Sequence, residues 1–571
     1  MIKIFYSATF VLLVTWMPFQ PVVAQDLAHI REQKPVTFHG GIDTRLVFYK
    51  ANGIPPRYLP FNYLISGSPV LSLYGVQVPF YFSFSRQQSS YTQPFNQFGL
   101  SPQYKWITLH AGYRNLTYSP FTLAGHTFLG VGVDLRPGKW RLGGMYGRFN
   151  KATVLDTLQG VYIENFSFRR TGYSAKIGYG TDESYFDIIT LNAKDDPLSA
   201  PAAQQSFLDS MKLTPASNWV NGYQTRLAFL KQKLIFESDG AISLYTSDTR
   251  LNAVEDGTIK EDIKPFERFT TVNYSSELYA AFHASVMYKL PYMGLKVQYR
   301  YVEAGYKSMG AYFLNNDLEN WTINPSFIAR KGRIRFSGSL GFQRDNLQNL
   351  KRATSRRVIG AANLTADLDD NWGIDVSYSN FSNTQRASTL RFADSLRIAQ
   401  TTQNLSVSPR FIKTTPTKSH SVVVSANYNQ FKELNADREL AATGNDIITQ
   451  TYFATYQLGL LSSRSSLFGT VNYAKLGNEI IKDQNTGVTL GGSKTFKNKL
   501  MLTGSSSYLW SNRNGALGHI LNESLQLRYT LKTKHSFQFM FVFLGNYPDT
   551  PSEFQRRFTE LRIELGYSFN F

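Results

Sequence analysis

The chain carries eight histidines and no cysteine in 571 residues, so any chemistry it performs must come from imidazole, hydroxyl and carboxylate groups. Without cysteine there are no disulfides, thiolate metal ligands or thiol nucleophiles. A hydroxyl becomes a nucleophile only with a base in hydrogen-bond reach, so the histidines are the residues to examine first. His39, His110, His126 and His283 fall on or beside strand-like segments, whereas His420, His519 and His535 fall near turns or loops. His110 and His283 occupy water-facing positions, yet no fixed-spacing motif ties either to a serine or an aspartate. Glu255-Asp256 and Glu261-Asp262 are interrupted by Lys260 and Lys264, which suits a solvated loop better than a calcium site. No His-x-His pair and no glycine-rich phosphate loop between a strand and a helix occurs. The expectation is no enzyme, no metal and no cofactor.

The elements that would hold such residues read as strands throughout. Aromatic residues make up 15% of the chain, with 42 Phe and 34 Tyr, while charged residues reach only 18%, below the roughly 25% usual in globular domains. Mean hydropathy is still slightly negative, so apolar residues are interleaved with polar ones. The last segment shows how. Leu561, Ile563, Leu565, Tyr567, Phe569 and Phe571 alternate with Arg562, Glu564, Gly566, Ser568 and Asn570. A strand with one apolar-aromatic face and one polar face separates two solvents. The same period of two recurs in Leu525–Leu531, Phe537–Phe543, Met293–Tyr301, Leu278–Tyr288, Ile334–Phe342, Val422–Tyr428, Trp372–Tyr378 and Val76–Phe84. Trp140 and Tyr146, Trp372 and Tyr378, and Tyr508 and Trp510 place amphipathic rings where headgroups would lie.

Connections alternate as well. Short turns are expected at Pro137-Gly138, Thr181-Asp182, Lys231-Gln232, Pro291-Tyr292, Lys331-Gly332, Asp369-Asp370, Thr415-Pro416, Arg464-Ser465, Lys497-Asn498 and Thr533-Lys534. Long polar loops are expected at about 150–170, 194–218, 248–274, 306–320, 344–356, 380–400, 431–448 and 512–520. Strands exposed to hydrocarbon must satisfy every backbone group internally, so the sheet has to close. The pattern therefore predicts an all-β fold: a transmembrane antiparallel β-barrel of about 24 strands, range about 22 to 26, with short periplasmic turns and long extracellular loops. Residues 1–24, with Lys3, the apolar Ile4–Trp16 and Val22-Val23-Ala24, read as a cleaved signal peptide for Sec export. Residues 25–35 would be a short periplasmic segment and 36–571 the barrel. In the irregular, proline-rich stretch 51–125, residues 51–70 and 86–125 either fold into the lumen and narrow it or form two long extracellular loops.

With these features the chain resembles Gram-negative outer-membrane β-barrel proteins, in texture those of the Bacteroidota. The terminal Leu565, Tyr567, Phe569 and Phe571 match the aromatic-ended strand that, by this resemblance, the barrel assembly machinery reads as its signal. Outer-membrane lipid and lipopolysaccharide are then the expected surroundings. TonB-dependent transporters are similar in strand number, but strand-like sequence begins here at Val36 and leaves no room for a preceding plug domain.

The formal charge is +19, spread along the chain in a way that does not suggest nucleic acid. Alternation assigns Arg45, Lys176, Arg226, Lys289, Lys296, Arg300, Arg335, Arg410, Arg528, Lys532 and Arg562 to the water side. Fewer acids share it: Asp43, Glu237, Asp375 and Glu564. A bore lined by Lys176, Arg226, Lys289, Lys296, Arg300, Arg335 and Arg528 would favour anions. The functional expectation is a channel or transport protein for small solutes across the outer membrane. The alternative is a structural barrel that docks a surface or periplasmic partner, and an enzyme ranks third.

Overall fold

In a computed structural model, the structure describes residues 35–571 except 75, 87–96, 154–166, 201, 253–269, 271, 312–313, 349–355, 386–397, 434–445, 479–481 and 552–554. The expected signal peptide and nearly all of the 25–35 segment lie outside the described residues. The chain forms a closed antiparallel barrel of 26 strands. Each strand pairs with its sequence neighbours, and closure comes from Gly41–Asn52 against Phe558–Asn570, with Gly41 opposite Asn570 and Asn52 opposite Thr559. Closure leaves no unpaired edge, which is the condition for a sheet to sit in hydrocarbon.

The expected strand number was two short of the observed one, and the difference lies where the prolines are. Residues 61–70, within the 51–70 stretch expected inside the lumen or in an extracellular loop, belong to a wall strand (Phe61–Gly67 and Val70–Leu73) interrupted at Ser68-Pro69. Its partner is Val36–His39 and Gly41–Asn52, and one register runs through the interruption: Ile42 faces Gly67 and His39 faces Val70. Gly40 adopts a φ of 140° there, and a Cβ on it would meet Pro69 Cα at 2.7 Å. Part of 86–125 is also wall. Gln97–Leu100 and Gln103–Tyr104 make one strand, broken at Ser101-Pro102, between Val76–Ser85 and Ile107–Asn115. Proline has no N–H for the ladder, so it splits these strands without ending them. The turns that do end them use Tyr74 (φ 47°) and Lys105 (φ 52°), residue types that give little warning of a left-handed backbone.

Connections at one rim are short, as at 136–139, 181–184, 230–233 and 497–499. At the other rim they include 151–169, 196–216, 247–275 and 303–317. The 196–216 connection contains a short helix, Ala202–Ser210. The long loop expected at 512–520 is a two-residue turn instead, joining Leu500–Arg513 to Ala516–Leu531. Asn514 and Gly515 have φ of 51° and 87°. Asn-Gly tolerates two successive positive φ angles, which makes it a tight hairpin turn between twisted strands. His519 therefore lies on a strand, not in a loop.

The alternation divides the wall into two faces. Val131, Tyr146, Ile177, Ile188, Trp321, Phe342, Tyr508 and Trp510 are exposed on one. The other carries the hydroxyl, amide and ionic side chains, together with the main buried cluster.

Candidate functional site

Two connections from the long-loop rim are packed against that polar face. In the first, 116–126, Tyr118, Phe121, Leu123 and His126 are buried. Its contacts run across the wall. The Tyr118 hydroxyl is 2.8 Å from where a Cβ on Gly143 would sit, Thr122 Cγ2 is 2.9 Å from the same point on Gly222, and the Arg300 guanidinium lies 5.6 Å from the Phe121 ring centre. Gly143, Gly222 and Arg300 alternate with the exposed Tyr146, Leu227 and Val297 on their strands, so the segment lies inside the closed wall. The second connection, 303–317, locks it there. Tyr306 Oη donates to the Phe121 carbonyl at 2.7 Å, Ser308 Oγ donates to the Thr122 carbonyl, and Gly310-Ala311 pairs in parallel with Leu123-Ala124. Met309 N donates to Asn218 Oδ1 at 2.9 Å, and Ser243 Oγ to the Lys307 carbonyl at 2.6 Å. Phe121 and Tyr306 meet edge to face at 6.1 Å, over wall residues Ile189, Leu191, Val220 and Val302.

This burial changes the ionisation of the seated groups. Desolvation pushes the Tyr118 and Tyr306 phenols up and the Lys307 ammonium down. His126 is lowered to about 4, chiefly by burial, although its Nδ1 donates to the Thr127 carbonyl at 3.0 Å. A charged imidazole there would lack the solvation it has in water.

Lys176, Arg226, Lys289, Lys296, Arg300, Arg335 and Arg528 all occupy register positions on the polar face. They are not equivalent. Glu237 binds both Arg226 and Lys296, the latter at 3.3 Å, and Arg335 lies 3.7 Å from Asp367. Lys176 sits 4.6 Å from the centre of the Tyr118 ring. Arg528 lines a cavity with Asp43, Arg45, Ser66 and Gln538, and Lys289 ends an exposed strand terminus beside the 290–292 turn. Further pairs neutralise the wall: Arg141 with Asp187 at 2.9 Å, Arg170 with Asp195 at 2.8 Å, Arg410 with Asp367 and Asp375, and Arg45 with Glu564 at 3.9 Å. Among the described residues, carboxylates therefore pair with Arg226, Lys296 and Arg335 of this set, whereas Lys176, Lys289, Arg300 and Arg528 form no ion pair.

The structure also ties histidines to partners that no motif announced. Ser101 faces His110 across the ladder, since the register pairs Gly99 with Gly112 and Gln103 with Thr108. Asp134 lies diagonally on the next strand, where Gly132 faces His110. Ser101 Oγ is 2.7 Å from His110 Nδ1, and His110 Nε2 is 3.0 Å from Asp134 Oδ2. His283 Nδ1 is likewise 2.9 Å from Asp239 Oδ1. Sequence separations of 9, 24 and 44 residues follow from strand lengths, so only a correct register would have found these contacts.

Of the terminal residues, Leu565 is exposed and pairs with Leu46 of the first strand. Tyr567 Oη lies 2.9 Å from His535 Nδ1. Phe569 stacks on His535 at 4.8 Å, and Phe571 on Phe38 at 4.2 Å.

No protein family and no curated protein matches the chain by sequence. Among solved structures, it is similar to OccAB2 of Acinetobacter baumannii (10% identity, TM-score 0.30, covering 62% of this chain and 93% of that one). It is also similar to the FrpB iron transporter of Neisseria meningitidis (9%, 0.37, 96% and 83%). A third is OmpT, an outer membrane protein of Vibrio cholerae (10%, 0.28, 62% and 98%). The fold assignment rests on the pairing ladder and not on these likenesses.

Proposed function

We propose that the chain is an outer-membrane channel or transport barrel for small solutes, with a bore narrowed by the segments 116–126 and 303–317. The observation that carries this reading is a closed wall whose exposed aromatic face suits lipid and whose opposite face is lined by hydrogen-bonding and ion-paired side chains. A barrel of this circumference would be a wide hole if empty, so the seated segments would set its effective width. In this reading residues 1–24 direct Sec export and are removed, short turns face the periplasm and long loops the outside. Leu565, Tyr567, Phe569 and Phe571 present the assembly signal, and lipid and lipopolysaccharide contact the aromatic face. Lys176, Arg226, Lys289, Lys296, Arg300, Arg335 and Arg528 border the aqueous path. Pairing of Arg226, Lys296 and Arg335 with carboxylates tempers the anion preference, which would rest on Lys176, Lys289, Arg300 and Arg528.

The test is conductance of the purified, heat-modifiable protein in a planar bilayer. Reproducible steps of constant size are expected. A correctly folded, inserted protein that stays silent under all voltages tested would overturn the reading.

A further inference from the structure

We propose that Ser101, His110 and Asp134 form a hydrolytic site on the bore wall, acting on small carboxylic esters whose acyl part carries a negative charge. A nucleophile, a base in contact with it and a third group orienting the base are the minimum parts of covalent acyl transfer, and their distances of 2.7 and 3.0 Å meet that requirement. Proton positions follow from the partners. An ionised carboxylate only accepts, so Nε2–H donates to Asp134 and the neutral ring keeps Nδ1 as the acceptor for the Ser101 hydroxyl. The ring nitrogens are used in the opposite sense from a serine protease, but the roles are unchanged.

The surroundings supply a place for substrate. Ser101 and His110 open on a cavity of about 410 Å³ that Tyr81, Gln97, Arg114 and Asn115 also line, with no acidic side chain among its described lining residues. Ser101 sits at the break before Pro102, between the strand pieces Gln97–Leu100 and Gln103–Tyr104, and its backbone N–H donates to the Pro79 carbonyl at 2.9 Å. Tyr81 lies flat across Gly99, with its Cε1 2.6 Å from where a Cβ would be. The Arg114 guanidinium covers that ring at 4.7 Å. Arg141, Arg170, Arg226 and Arg410 each hold a carboxylate. Among the described residues Arg114 instead has no hydrogen-bond partner for Nε or Nη2 and no carboxylate ion pair, which suits it to an anionic acyl group.

The reaction balances with groups in place. Ser101 Oγ bonds to the ester carbonyl carbon while its proton passes to His110 Nδ1. The carbon–oxygen bond to the leaving alcohol then breaks, and that alcohol takes the proton from Nδ1. Water, deprotonated by the same nitrogen, attacks the acyl-serine carbonyl carbon; the bond from that carbon to Ser101 Oγ breaks, Oγ recovers the proton from Nδ1, and the acid leaves. Asp134 stabilises the imidazolium at both stages.

The experiment uses the full chain in detergent micelles. A fluorophosphonate probe is expected to label the folded protein at Ser101. Ser101→Ala should abolish labelling, and Asp134→Asn should slow it about 10²-fold or more. Unchanged heat-modifiable migration of both variants would show that the barrel is intact. With the mono-4-nitrophenyl ester of succinic acid, Arg114→Gln should raise KM about tenfold or more, since a hydrogen bond to a charged group is lost. The rise in KM should be smaller with 4-nitrophenyl acetate, whose acyl part carries no charge. Absence of labelling in the folded wild type, or labelling that survives Ser101→Ala, would overturn the proposal. These outcomes are separate from conduction: a conducting but unlabelled barrel sinks only this inference, and a labelled but silent one sinks only the channel reading.

Discussion

The wall from Ile107–Asn115 to Leu318–Ala329 and the wall from Ile398–Thr414 to Ala516–Leu531 arise from the same alternation, yet their polar faces differ. The first carries Asp134, Arg141, Lys176, Asp187, Arg170, Asp195, Arg226, Glu237, Asp239, His283, Lys296 and Arg300, and it bears the two seated segments. The second is built mostly from paired hydroxyls. Ser408 meets Ser425 at 2.6 Å, Ser505 meets Ser524 at 2.8 Å, Thr455 meets Thr470 at 2.8 Å and Thr489 meets Ser507 at 2.9 Å. Covered polar groups cannot rely on water, so charges beneath the segments need a partner across the ladder. Where the wall is open, a hydroxyl keeps spare acceptor capacity for water or solute. One sector anchors, and the other offers a path.

The largest expected effect comes from removing the anchor. Deleting residues 119–124 should raise single-channel conductance several-fold in a planar bilayer, and an unchanged value would mean that these residues do not narrow the path. Breaking a covered ion pair comes next. Asp187 is 1% exposed and is gripped by Arg141 through both Nε and Nη2, so Arg141→Gln should cost about 3 kcal/mol or more, measured by urea unfolding in detergent. Phe121→Ala, which empties a site 1% exposed, should cost about 3 kcal/mol and make the conductance noisy as the segment loosens.

A smaller effect depends on pH. The His126 value falls from its ordinary 6.5 to about 4 in the folded protein, so the unfolded chain binds the proton more readily. Stability from this residue is complete above about pH 6.5 and is lost progressively as pH falls toward 4, by a few kcal/mol in all. His126→Gln should flatten that part of a melting-temperature profile. The smallest change is expected in the open sector, where Ser505→Ala should shift stability by less than about 0.5 kcal/mol. A large loss there would erase the distinction between the two sectors.

How much of this was legible in the sequence depends on what each feature rests on. Closure, antiparallel order and the polar placement of residues such as Lys296 and Arg300 follow from a period of two, which needs no knowledge of partners. The ten short turns expected from the sequence carry visible Pro, Gly, Asn, Asp, Lys, Arg, Ser or Thr signals. The turns at Tyr74 and Lys105 fall among the irregular prolines of 51–125, which hid two strands, and Asn514-Gly515 is a strong turn signal inside a stretch that reads as a polar loop. The ion pairs and the Ser101–His110–Asp134 contacts depend on register across strands. A shift of one residue would move each side chain to the other face, so composition and spacing along the chain could not reveal them. The irregular Tyr118–Gly125, rich in Tyr, Pro and Gly, pointed toward the lumen in the sequence, whereas the second seated segment, 303–317, overlaps a stretch that reads only as a polar loop.

The central claim is that adjacent side chains of one strand meet different solvents. The chain contains no cysteine, so single substitutions to Cys can be placed in turn at Thr503, Gly504, Ser505, Ser506, Ser507 and Tyr508 in reconstituted vesicles. Charged, membrane-impermeant thiol reagents should modify the sites at 503, 505 and 507, while a fluorophore attached at 504, 506 and 508 should be quenched by lipid-borne nitroxide. Equal reactivity at all six positions, with no quenching at any, would contradict the claim.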